Sequence, residues 1–183
     1  MTLITLTTDF GLSDEYVGVM KGVILSRCPQ ARIVDLSHGI RPQDVRGAAY
    51  TIEASFPYFP EGTIHVVVVD PGVGSSREII ALQTGGHTFL APDNGVLSLV
   101  LPRADKIFKV TAGDLFLPRQ GDTFHGRDIF APLAAHLACG LSPDRLGPRL
   151  EESGILSTWP YPRFPVLKAP SAAPWSISII SAI

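Results

Sequence analysis

The chain has 183 residues, a length that fits one domain at roughly 100–200 residues per domain. Its 15 basic and 17 acidic side chains leave a formal net charge of −2, which excludes binding to nucleic acid or to an anionic membrane by bulk electrostatics. Hydrophobic residues make up 45% of the chain, enough to bury a core, so disorder of the whole chain is also excluded. We therefore expect a folded protein that has neither a nucleic-acid nor a membrane partner.

The two cysteines, Cys28 and Cys139, are too few for a disulfide framework or a tetrahedral metal site. We interpret them as two partly buried thiols in a reduced compartment. The segment 1–9 lacks the basic start of a secretory signal, and no apolar run approaches the ~20 residues that cross a bilayer. These features predict a cytoplasmic protein.

Strand-like and helix-like segments alternate along the first 150 residues. In chain order, we predict a strand at 3–9, a helix capped by Ser13 and stopped by Pro29, a strand at 32–36, a helix opened by Pro42 and ended by Pro57, a strand at 63–70, a hairpin of 78–83 and 88–90, a short helix at 95–101, a strand at 106–110 and a helix at 128–139. The continuous β-branched run within 63–70 is typical of a strand buried on both faces, as in a parallel sheet. The pattern predicts an α/β fold, a three-layer sandwich with a largely parallel central sheet.

The character of the sequence changes after Leu150. The proline-rich segment 159–165 cannot form a regular helix, so we interpret it as a linker. We therefore predict one α/β domain over residues 1–158, followed by a linker and a short tail over residues 159–183.

Three predicted strand ends carry polar, glycine-rich loops, at 9–11, 70–74 and 93–95. Ligands of open α/β sheets bind beyond the carboxyl ends of the strands, so these loops predict one shared cleft. An aspartate directly after a buried strand, such as Asp9 or Asp70, is placed to accept hydrogen bonds from a ribose diol. Each is equally typical of a turn or a helix cap, and that alternative stays open.

Two further side chains are candidates for chemistry in this cleft. Arg77 lies seven residues beyond Asp70 and pairs with it in one interpretation, whereas a salt bridge that only braces the loop is the other. His125 lies in a polar loop beside a glycine and is the best candidate for a general acid or base. The other histidines, among them His65 and His136, are interpreted as structural. The sequence has neither the histidine pair of a metallohydrolase nor the Gly-x-Ser-x-Gly of a serine hydrolase.

Four segments together carry a resemblance to a known family. They are TTDFG at 7–11, VVDPGVG at 68–74, APDNG at 91–95 and TFHGRDIFAP at 123–132. In this order and spacing they resemble the S-adenosylmethionine hydroxide adenosyltransferases, also called S-adenosylmethionine hydrolases, over about residues 2–165. These enzymes are relatives of fluorinase and chlorinase. The resemblance implies that residues 1–158 form an S-adenosylmethionine-binding catalytic domain.

The resemblance also implies a reaction, in which water attacks C5′ of the ribose of S-adenosylmethionine and releases adenosine and methionine. Asp70, Arg77 and His125 match the triad of the water-using members, and which of the three takes the proton stays open. The substrate-binding residues implied by the match are Asp9, Phe10, Val73 and Asn94. For Asn94 an Asn-Gly turn is the alternative. No metal and no cofactor are implied, since S-adenosylmethionine is the substrate.

The sequence departs from the family pattern at its carboxyl end. Members of the family continue into a C-terminal β-barrel domain, and we hypothesise that this barrel is missing and that 159–183 includes a truncated or altered tail. In the family, a homotrimer holds substrate between the N-terminal domain of one subunit and the C-terminal domain of its neighbour. We therefore expect weak binding and slow or no turnover. A chloride-using adenosyl halogenase, a non-catalytic adenosine-binding module and an inactive remnant are the alternatives, the first being disfavoured because the Asp70 carboxylate would repel a halide.

Overall fold

The computed structural model describes residues 1–118 and 123–150 of the chain. Their strands form one six-stranded sheet in the order β2-β1-β3-β5-β4-β6. These strands are β1 (Leu3–Thr8), β2 (Arg32–Ser37), β3 (Ile64–Val68), β4 (Ile79–Thr84), β5 (His87–Pro92) and β6 (Lys106–Lys109). Strand β1 pairs in parallel with β2 and β3, and β3 pairs in parallel with β5, whereas β4 runs antiparallel to β5 and β6. The predicted α/β fold is confirmed, with an antiparallel edge on a mostly parallel sheet.

Helices cover both faces of this sheet. They are α1 (Tyr16–Arg27), α2 (Val45–Ser55) and α3 (Ala131–Ala138). Successive side chains of a strand point to opposite faces, and β3 shows the result: Val66 and Val68 pack in the core of α1 and α3, whereas Val67 packs in the core of α2. All five residues of β3 are buried, which explains its unbroken apolar sequence. No helix in the described ranges is long and apolar enough to cross a membrane.

Several element boundaries differ from the prediction. Helix α1 begins after Glu15 rather than after Ser13, and no side chain caps it, because the Asp14 carboxylate accepts the amide of Tyr16 in a turn before the helix. The helix predicted at 95–101 is wrong: Gly95 has φ +92°, outside the helical region, and the segment forms turns that lead into a 3₁₀ turn. The predicted hairpin across Gly85–Gly86 is present. The predicted linker and tail at 159–183 lie outside the described residues.

Cys28 and Cys139 form a disulfide, so the prediction of two free thiols is wrong. Their Cα atoms are 5.8 Å apart, within the usual range for such a bond. Each cysteine directly follows a helix, Cys28 after α1 and Cys139 after α3, and these helices pack against each other. The bond joins positions 111 residues apart, and it is this tertiary packing that brings them together.

Candidate active site

The three glycine-rich loops follow strands that are neighbours in the sheet. Strand β3 pairs in parallel with β1 and with β5, so the loops after all three strands leave the same edge. This places Asp9, Asp70 and Asn94 along one line at the carboxyl end of the sheet, where ligands of such folds bind. The side-chain amide of Asn94 donates to the carbonyl of Val69 at 2.9 Å and so ties two of the loops together.

Asp70 and Arg77 form a buried ion pair at the centre of this edge. Arg77 Nε donates to Asp70 Oδ1 at 2.6 Å, and Nη2 forms an ion pair with Oδ2. The side chain of Asp70 is only 4% exposed, and that of Arg77 is 9% exposed. The amide of Gly72 also donates to Oδ1, at 3.2 Å. Because the carboxylate is held from two sides, the plane of the guanidinium is fixed.

The same guanidinium reaches His125. Arg77 Nη2 donates to His125 Nδ1 over 3.0 Å, and His125 is 7% exposed. A guanidinium has donors and no acceptor, so this contact assigns Nδ1 as an acceptor and places the ring proton on Nε2. Asp70, Arg77 and His125 therefore form one connected group, although His125 lies 48 residues beyond Arg77.

A π-helical turn, Gly126–Phe130, positions His125 ahead of α3. A Cβ at Gly126 would lie 3.1 Å from Met20 Sδ and 3.3 Å from the ring of Phe10, so glycine permits this close approach. Phe10 thus packs behind the turn, and its ring also contacts Tyr16 edge-on at 6.2 Å. An apolar cavity of about 220 Å³ adjoins the turn. It is lined by Phe10, Tyr16, Met20, Thr123, Phe124, Gly126 and Arg127.

The remaining predicted substrate residues lie in the same loops with different surroundings. The Asp9 carboxylate accepts the amide of Gln43 at 2.8 Å, a residue with φ +64° in the connection between β2 and α2. The half-buried Val73 closes a turn by donating its amide to the carbonyl of Asp70 at 3.2 Å. Asn94 Oδ1 accepts the amide of Val96 at 3.1 Å, so its side chain organises the loop. Contact of these side chains with a substrate stays a prediction.

The sequence does not predict the contacts of the buried histidines. In His65, on β3, Nδ1 is 2.8 Å from Thr5 Oγ1, and Nε2 is 3.2 Å from His87 Nδ1. The ring of His65 also stacks on Phe89. Burial, with a smaller contribution from the charge of His87, lowers the pKa of His65 to about 3. This pair lies at the amino end of β3, away from Asp70. Another buried histidine, His38, lies under the Asp9 loop. Within residues 1–118 and 123–150, no group of three or more metal-ligating side chains is present.

Known proteins match this chain over most of its described length. Residues 4–147 match the family described as the SAM hydroxide adenosyltransferase N-terminal domain. A protein of Thermus thermophilus named (R)-S-adenosyl-L-methionine hydrolase is 44% identical over 153 residues, which cover 78% of this chain and 59% of the relative. A fluorinase of Nocardia brasiliensis is 28% identical over 180 residues, covering 84% of this chain and 60% of the relative.

A solved structure has the same fold. The crystal structure of an uncharacterized conserved protein from Thermotoga maritima superposes with a TM-score of 0.83 at 41% identity, over 87% of this chain and 62% of that one. The chain thus spans about three fifths of the length of the relatives it matches. The match over residues 4–147 shows that the chain belongs to the SAM hydroxide adenosyltransferase N-terminal domain family.

Proposed function

We propose that the cleft hydrolyses S-adenosylmethionine to adenosine and methionine. The observation that carries this proposal is the connected group of Asp70, Arg77 and His125, buried at the carboxyl edge of the sheet beside Asp9. The relative named (R)-S-adenosyl-L-methionine hydrolase, at 44% identity, supports the same reaction.

The chemistry requires a nucleophile and little help for the leaving group. Water attacks C5′, a new C5′–O bond forms, and the C5′–S bond breaks with its electron pair moving to the sulfonium, which becomes the thioether of methionine. The water gives up one proton to become the 5′-hydroxyl of adenosine. Since the sulfonium leaves readily and water is a poor nucleophile, the protein's task is to hold the water and accept its proton.

The contacts among Asp70, Arg77 and His125 indicate a different part in this task for each residue. Arg77 stays charged and donates to both partners, so it orients the Asp70 carboxylate and the His125 ring and stabilises negative charge on the attacking oxygen. His125 Nδ1 already accepts a hydrogen bond from Arg77. The acceptor of the water proton is therefore either the Asp70 carboxylate or a His125 ring that has given up its bond to Arg77. Burial of the group keeps bulk water from weakening these interactions.

The other loop residues bind the nucleoside in this proposal. The carboxylate of Asp9, oriented by the amide of Gln43, accepts the hydroxyls of the ribose diol. Phe10, Val73 and Asn94 shape the loops around it. The homotrimeric assembly, the cytoplasmic location, and the absence of a metal or cofactor requirement stay predictions.

The proposal is tested by incubating the chain with S-adenosylmethionine in water enriched in ¹⁸O. We expect adenosine labelled in its 5′-hydroxyl, and its loss in Asp70→Asn and His125→Ala. Half-buried His136 on α3 provides the control His136→Ala, which should retain activity. Unlabelled adenosine contradicts the proposal, whereas no adenosine from a folded chain favours the alternative of an inactive remnant. Formation of 5′-chloro-5′-deoxyadenosine in chloride favours the halogenase alternative.

A further inference from the structure

The loop that carries Asp9 is held by hydrogen bonds from two of its own backbone amides. Gly11, with φ +73°, donates its amide to the carbonyl of His38 at 2.9 Å. Phe10 donates its amide to Thr8 Oγ1 at 3.3 Å. The conformation of the loop therefore depends on where Thr8 and His38 lie.

The side chain of His38 joins these two anchors. Its Nδ1 lies 2.9 Å from Thr8 Oγ1 in a hydrogen bond, and His38 is only 5% exposed. On the other side of the ring, Nε2 lies 3.1 Å from Asp35 Oδ1 as an electrostatic contact. Asp35 in turn accepts Lys21 Nζ of α1 at 2.6 Å. A chain of contacts thus runs from α1 through the imidazole to Thr8.

One assignment of protons satisfies this chain. The Asp35 carboxylate only accepts, so we place the ring proton on Nε2, 3.1 Å from Asp35 Oδ1. Nδ1 is then left to accept the hydroxyl of Thr8, whose oxygen accepts the amide of Phe10. Partial burial opposes ionisation of Asp35, but the hydrogen bond and charge of Lys21, with the contact of His38, outweigh it and lower the pKa of that carboxyl.

The segment anchored by His38 touches the Asp9 loop a second time. His38 begins the connection between β2 and α2, and Gln43 in this connection donates its amide to Asp9 Oδ2. The connection therefore contacts the loop through the carbonyl of His38 and through the amide of Gln43. Moving the imidazole displaces both contacts together.

We infer that His38 is a positioning residue for ribose recognition, which fixes the Asp9 carboxylate by anchoring Thr8 and the β2–α2 connection. This inference rests on the proposed function, since it assigns Asp9 to the ribose diol. It predicts that the side chain of His38 affects binding of the diol and leaves the rest of the nucleoside unaffected.

Two variants of His38 separate its two contacts. In His38→Asn, the side-chain amide reaches the place of Nδ1 and keeps the Thr8 bond, whereas in His38→Gln it reaches the place of Nε2 and keeps only the Asp35 contact. If the Thr8 anchor holds the loop, the asparagine variant retains function and the glutamine variant loses it.

The ligand readout compares adenosine with 2′,3′-dideoxyadenosine by NMR titration of the whole chain. One charge-assisted hydrogen bond predicts at least about tenfold tighter binding of adenosine by the wild type. Asp9→Asn should abolish this preference. His38→Gln should reduce it to threefold or less at unchanged affinity for the dideoxynucleoside, and His38→Asn should keep it.

A second readout needs no ligand. Hydrogen exchange of the amides of Phe10 and Gly11 should rise at least about tenfold in His38→Gln and less than threefold in His38→Asn, with the amide of Val66 in β3 as the internal control. Unchanged exchange in His38→Gln overturns the inference, as does an intact diol preference when Asp9→Asn has lost it. If wild type does not bind adenosine, or Asp9→Asn keeps the preference, the proposed function fails, and exchange alone decides the role of His38.

Discussion

Acid should weaken the fold through His65, whose imidazole lies between β1 and β5 with no solvent exposure. Its nitrogens are taken by Thr5 Oγ1 at 2.8 Å and His87 Nδ1 at 3.2 Å. Burial, with a contribution from His87, lowers the pKa of His65 from 6.5 to about 3. Burial likewise lowers the pKa of His87, against a smaller opposing effect of Glu61. Neither histidine of the pair therefore becomes charged readily in the folded protein.

The sign and size of the effect follow from proton linkage. The folded pKa of His65, about 3, lies below its ordinary value of 6.5, so the unfolded chain takes up the proton first as the pH falls. Stability is therefore fully present above about pH 6.5 and is lost towards pH 3, at up to about 1.4 kcal/mol per pH unit. Between pH 7 and pH 5 the loss is about 2 kcal/mol, or about 4–8 °C in the melting temperature of a chain of this size.

Urea unfolding at pH 7, 6 and 5 measures this loss. His65→Phe keeps an aromatic ring against Phe89 and removes the titrating group, so its free energy of unfolding should fall by about 2 kcal/mol less than that of the wild type over the same range. His136→Phe controls for the removal of a histidine from a half-buried position. If His65→Phe loses stability as steeply as the wild type, His65 is not the buried neutral group described here.

Three further outcomes test the site and the fold. Arg77→Lys removes the donor to His125 Nδ1 and should lower kcat for adenosine release at least about 100-fold with KM within threefold; an unchanged kcat contradicts the triad. Replacing Cys28 and Cys139 by serine opens a closure of 111 residues and should lower the free energy of unfolding by up to about 4.7 kcal/mol in the chain-entropy account, measured by urea unfolding against the oxidised wild type, whereas the reduced wild type should match the variant. Asn94→Ala removes two loop hydrogen bonds and should lower the free energy of unfolding by about 1–3 kcal/mol; a loss of adenosine binding at full stability would instead make Asn94 a ligand contact.

The parts of the fold that local sequence predicts are those that local physics decides. The apolar run of β3 predicts a strand buried on both faces, and Gly85–Gly86, with φ +53° and +79°, predicts a hairpin turn that other residues adopt with difficulty. The prediction that Ser13 caps α1 is wrong, because Ser13 and Asp14 are as typical of a turn as of a helix cap. In the structure, the Asp14 carboxylate accepts the amide of Tyr16 in a turn.

The candidate site divides in the same way. Asp70 and Arg77 are close in sequence, and a turn between them suffices for their contact. His125 joins them from across 48 residues, and here only the resemblance placed the three together. The disulfide and the role of His38 depend on packing between helices and loops far apart in sequence, which no local pattern records.

Strand β1 shows how one strand supports both stability and the site. It lies between β2 and β3, and two of its buried threonines each hold an imidazole: Thr5 holds His65 near the amino edge, and Thr8 holds His38 at the carboxyl edge. The first pair belongs to the core, and the second lies under the Asp9 loop. The two effects should therefore separate. His65→Phe should flatten the acid dependence of unfolding while keeping the preference for the ribose diol, and His38→Gln should lose that preference while unfolding with the acid dependence of the wild type. The register pairs Thr5 with His65 and Thr8 with Val68, at opposite ends of β1. If both variants change both measurements, the two ends of β1 are coupled, and the independence of the two histidine contacts is wrong.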